Sequence, residues 1–85
     1  MLRIYVPDVP EFAPLLEAAR AEAACRVVSH GQAYQRIESD GPLEFSRKAL
    51  GVKPAIWYGL FTGGVDGVIE RFDRDVVRLV PAGDR

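Results

Sequence analysis

Cys25-Arg26-Val27-Val28-Ser29 and Ala33-Tyr34-Gln35-Arg36-Ile37-Glu38 are two β-rich runs, and only His30-Gly31-Gln32 stands between them. Valine, isoleucine and tyrosine suit a pleated, half-buried surface, and a glycine in a short connection can take the positive φ that a tight turn needs. The stretch predicts an antiparallel hairpin. With Ser29 opposite Ala33, the residues Cys25, Val27, Ala33 and Ile37 share one face. Arg26, Val28, His30, Tyr34 and Arg36 share the other. This register keeps both arginines out of the core, whereas a slip of one residue would exchange the two faces.

Upstream, Leu2, Ile4 and Val6 alternate with Arg3 and Tyr5, the period of a half-buried strand that Pro7 and Pro10 bring to an end. Phe12, Leu15, Leu16, Ala19 and Ala23 then recur at helical spacing. Pro14 fits only the first turn of that helix, which places its start near Glu11 or Phe12. Downstream, Leu43 to Leu50 reads as a short helix between Pro42 and Gly51. Ala55 to Thr62 is apolar all round. Pro54 and Gly63-Gly64 frame it as a two-turn helix, while Ile56, Trp57, Tyr58, Phe61 and Thr62 favour a strand. Val68 to Phe72 and Val76 to Val80 flank Asp73-Arg74-Asp75 as a closing hairpin. Setting Phe72 opposite Val76 brings Glu70 against Arg78, a favourable cross-strand pair.

These elements predict one α+β domain over residues 1–85: a mostly antiparallel sheet packed by two short helices, or three. Taken as a helix, residues 55–62 complete the βαββαβ order of a ferredoxin-like split βαβ unit with an added C-terminal strand.

A chain of 85 residues has a thin stability margin, and Cys25, its only cysteine, cannot close an internal disulfide. A second copy is the natural support, so a homo-oligomer, simplest as a dimer, is expected. The net charge of −1 offers no general attraction for nucleic acid or an anionic membrane. No apolar run has the length of a bilayer span, and Met1 to Asp8 lacks the pattern of a secretory leader. With one unpaired thiol, these features predict a cytoplasmic protein.

The signatures of chemistry are sparse. His30 is the only histidine and the one side chain expected to titrate near neutrality. It has no nucleophile context around it, and its place beside Gly31 is accounted for by turn chemistry. Cys25 has Arg26 next to it in sequence, but on a strand the two side chains point to opposite faces, so a small core filler is expected. One cysteine and one histidine are too few for a structural zinc site, and neither a metal nor a cofactor is expected. Gly59 and Gly64 have the spacing of a phosphate-binding loop, but Val65 and Asp66 stand where lysine and a hydroxyl residue belong. Ser46, Arg47 and Lys48, joined by Lys53, form a basic cluster able to grip an anion.

The richest surface is the outer sheet face: Arg3, Tyr5, Arg26, Val28, His30, Tyr34 and Arg36. Tyrosine and arginine are enriched where proteins meet. The RNA-recognition pattern of aromatics is missing, which argues against nucleic acid. The expectation is therefore a non-catalytic binding or accessory module that self-associates and uses Tyr5, Arg26, His30, Tyr34 and Arg36 for a small anionic ligand or a protein partner. The alternative is a small enzyme with a site at a subunit interface, His30 serving as acid and base while Tyr34 and Arg36 polarise the substrate.

Overall fold

Alternation sets the first strand: Leu2, Ile4 and Val6 are fully buried, while Arg3 and Tyr5 between them stay partly exposed. The computed structural model describes residues 1–31 and 33–83; the His30 side chain, Gln32, Asp84 and Arg85 lie outside what it describes. Strand β1 (Leu2–Pro7) leads through a single 3-10 turn (Pro10–Phe12) into helix α1 (Ala13–Arg20). Leu15, Leu16 and Ala19 bury the helix against the sheet. The helix ends at Arg20, so Ala23 falls beyond it and is exposed.

Strands β2 (Cys25–His30) and β3 (Tyr34–Ser39) form the hairpin expected from the sequence, in a different register. Ser29 pairs with Gln35 instead of Ala33. Ala33 stays in the turn, where its carbonyl accepts the Asp8 N–H at 2.8 Å. The change is two residues, an even number, so the other described side chains keep their predicted faces.

Residues 43–50 depart from the expected helix. Leu43–Ser46 is strand β4, with Leu43 and Phe45 buried and Glu44 exposed, and only Arg47–Leu50 is helical, as α2. The strand wins because its two apolar side chains alternate onto the core and its backbone finds a ladder further along the chain. The Ser46 hydroxyl accepts the Ala49 N–H at 3.3 Å to start α2, and Gly51 at φ 74° ends it. Pro54–Gly59 is helix α3, which resolves the ambiguous segment in favour of the helix. Short strand β5 (Val65–Asp66), β6 (Val68–Phe72) and β7 (Val76–Val80) follow.

The class is α+β, with two antiparallel sheets and three short helices. One sheet has the order β2-β3-β1-β5, so β1 and β2 run parallel with β3 between them. The other has the order β4-β7-β6. The C-terminal strands therefore do not extend a single ferredoxin-like sheet. They pair with β4, where the sequence predicts helix, and build a second sheet. The chain crosses between sheets at Gly67, where a Cβ would meet the Val80 carbonyl oxygen at 2.8 Å and the Leu2 side chain.

Both sheets close on one core, in which Ile4, Ile37, Leu15, Trp57, Leu60, Val77 and Leu79 are fully buried. The Trp57 indole N–H donates to the Asp73 carbonyl at 2.7 Å, and its ring meets Phe72 edge-on at 5.7 Å. In the closing hairpin, Phe72 pairs with Val77 because a bulge lies between Ile69 and Arg71. The expected Glu70–Arg78 contact forms despite that shift, with Arg78 Nε donating to Glu70 at 3.0 Å. Asp73 organises the turn. Its carboxylate accepts from Arg71 at 2.7 Å and from the Asp75 and Val76 N–H groups at 2.9 Å. The Arg71 hydrogen bond, helped by those two backbone donors, lowers the Asp73 carboxyl to about 2.

Candidate functional site: the outer face of the first sheet

Cross-strand pairing assembles this face from three neighbouring strands. Arg3 lies opposite Glu38 and Tyr5 opposite Arg36 across β1 and β3; Arg26 lies opposite Glu38 and Val28 opposite Arg36 across β2 and β3. Residues directly opposed point to one side of a sheet, so Arg3, Tyr5, Arg26, Val28, Tyr34, Arg36 and Glu38 share a surface. The backbone of His30 pairs with Tyr34 on the same face, while its side chain lies outside the described residues. Of the exposed apolar groups here, Val28 is 37% and Tyr34 38% accessible.

At the centre of this face stands Glu38, which is absent from the residues expected there from the sequence. Arg36 Nε lies 2.8 Å from its carboxylate, Arg26 3.2 Å and Arg3 3.7 Å, and Arg3 also reaches Asp66 at 3.2 Å. Glu38 keeps only 12% of its side chain accessible, against 61% for Arg26. A usable signal was present. The predicted register sets Arg26 against Arg36, two like charges, whereas the observed one sets Arg26 against Glu38.

The hydrogen bond from Arg26 is the main influence holding the Glu38 carboxyl below the usual glutamate range. Burial opposes it, and the charges of Arg36, Arg26 and Arg3 add to it. A carboxyl lowered on folding contributes stability at pH above its unfolded value, and that contribution disappears as pH falls through the lowered folded value. Acid titration of the intact chain followed by circular dichroism is expected to show this loss below the ordinary glutamate range. Glu38→Gln should be less stable at neutral pH, with a shallower acid dependence over the same interval. Equal slopes for the two proteins would contradict the arrangement.

The other candidates have internal roles. Arg47 donates to the Arg74 carbonyl at 2.9 Å and the Val52 carbonyl at 3.3 Å, tying α2 to the β6–β7 turn, and Ser46 is engaged at the start of α2. Lys48 and Lys53 are exposed. The proposed anion cluster is thus divided: two members brace the fold and two project into solvent. Cys25 is half-buried against the core, and burial is the leading cause that raises its thiol pKa and keeps it protonated. Among the described residues no three His, Cys, Asp or Glu side chains gather as a metal site, and no helix is long and apolar enough to cross a membrane. Gly63, in the glycine-rich stretch, lies against the Tyr5 backbone, where an added Cβ would overlap the carbonyl oxygen.

No protein-family model matches the chain, and no curated protein matches it.

Proposed function

We propose that the chain is a non-catalytic binding module of the cytoplasm that self-associates as a homodimer and presents the outer face of its first sheet to a partner. The observation that carries this reading is the composition of that face: accessible Tyr34 and Val28 stand beside three arginines gathered on one carboxylate. Surface arginine and tyrosine, held in place by neighbours, bind with little loss of side-chain freedom.

Glu38 favours a protein partner over a small anion. It already occupies the point where the guanidinium groups converge, so a ligand carboxylate or phosphate has to compete with a carboxylate covalently fixed in place. A protein surface can instead match both signs across the face. The enzymatic alternative draws no comparable support, since Arg36, its polarising group, already lies in an ion pair with Glu38.

Sedimentation velocity across a micromolar concentration series tests self-association. The expected result is a concentration-dependent dimer. A single monomeric species throughout the series would remove the proposal.

A further inference from the structure

The two sheets have four edges, and three carry a feature that discourages pairing with another strand. Strand β5 is only two residues long and turns away at Gly67. Strand β6 carries a bulge at its centre, with Glu70 and Arg71 exposed beside it. Strand β4 has four residues, confined between Pro42 and α2. Short length, bulges, charge and proline are the usual defences of an exposed edge. Strand β2 differs. It has six residues in an unbroken ladder with β3, contains no proline, glycine or bulge, and its one exposed cation, Arg26, is paired inward to Glu38 of β3; no described strand pairs with its other side.

We infer that β2 is where two copies of the chain join: antiparallel, about a two-fold axis at Val28, merging two four-stranded sheets into one of eight strands. This rests on the self-association reading and supplies its geometry. A two-fold axis perpendicular to the sheet sets each residue opposite one that faces the same way, so only alternate registers are open. With the axis at Val28, this exposed valine meets its own copy, Val27 meets Ser29, and Arg26 falls opposite position 30, a histidine that opposes no like charge in its neutral form. Moving the axis to Arg26 sets arginine against arginine, a destabilising pair. Moving it to Val27 exchanges the valine contact for one between Val28 and Arg26. The merged sheet leaves both outer faces open on the same side, doubling the arginine and tyrosine surface available to the partner.

Disulfide trapping tests the geometry. Directly opposed residues of an antiparallel pair have Cα atoms about 4.5–5.5 Å apart, inside the roughly 4.4–6.8 Å range of a disulfide. The double variant Cys25→Ser/Val28→Cys is expected to become a covalent dimer under mild oxidation. Cys25→Ser/Tyr34→Cys, substituted one strand further in, is expected to stay uncross-linked. Val28→Lys should weaken dimerisation by roughly tenfold or more, and Tyr34→Ala should not. In the unsubstituted chain, amide exchange across β2 should slow as concentration rises, a readout that needs no variant. A dimer that cross-links at position 34 instead of 28, or whose β2 amides exchange at a rate independent of concentration, overturns the edge geometry while self-association stands. A monomer at every concentration overturns both.

Discussion

Trp57→Ala is expected to lower stability by about 3–5 kcal/mol, the range for removing a fully buried large aromatic from a core. Trp57 is wholly inaccessible and ties α3 to the second sheet, since α3 carries it and Phe72 of β6 receives its ring. Phe61 also meets Phe72, edge-on at 5.4 Å, so the cavity opens inside an aromatic cluster that depends on its own contacts. Small domains have total stabilities of roughly 5–15 kcal/mol, and this one belongs toward the lower end by size. The variant should therefore have a substantial unfolded population at ambient temperature. Trp57→Phe separates packing from hydrogen bonding. It keeps most of the ring but leaves the Asp73 carbonyl without its donor, an expected loss of about 1–3 kcal/mol. Urea unfolding followed by far-ultraviolet circular dichroism measures both, because the only tryptophan is lost in each. A loss below about 1 kcal/mol for the alanine variant would show that the ring is not part of the cooperative core.

Gly63→Ala is expected to be nearly as costly, although it adds a single methyl group. The new Cβ would overlap the Tyr5 carbonyl oxygen and lie 3.0 Å from the Tyr5 carbonyl carbon and 3.1 Å from the Tyr34 ring. Two of those atoms are backbone of β1, flanked in its sheet by β3 and β5, and cannot rotate aside. Relief requires the 63–66 segment to move away, which breaks the hydrogen bond from Tyr5 N–H to the Gly64 carbonyl at 2.9 Å and the pairing of β5. Overpacking of this kind costs about 3 kcal/mol, equivalent to a fall in Tm of roughly 12–24 °C for a domain of this size. Gly41→Ala is the control, since a Cβ there meets nothing within 4 Å; its effect should stay within about 0.5 kcal/mol. Similar Tm values for the two variants would contradict the close approach of residue 63 to β1.

Much of this architecture was legible because strand alternation is a strong local signal. Leu2, Ile4 and Val6 gave β1, and the closing hairpin was read with the observed strand limits, Val68–Phe72 and Val76–Val80. The face of each described side chain in the β2–β3 hairpin followed from alternation alone, which is insensitive to a register shift of two. Strand β4 was not legible. Its two inward residues, Leu43 and Phe45, are too few to establish a period, and the helical signals of Pro42 and Gly51 flank it; only its distant ladder with β7 settles the conformation. The same non-local pairing divides the molecule into two sheets. At the candidate site, Tyr34 and the arginines stood out by residue type, but the role of Glu38 depends on register. That register is fixed partly by the hydrogen bond between Asp8 N–H and the Ala33 carbonyl, a contact that no hairpin pattern contains.

Small-angle scattering of the unsubstituted chain over a concentration series tests the central proposal most directly. A lone chain has a mass of 9.4 kDa and a Cα radius of gyration of 11.7 Å. A self-associating module should give a forward-scattering mass approaching twice that value, and a larger radius, as concentration rises. A mass fixed at that of one chain, with an unchanging radius, would contradict it.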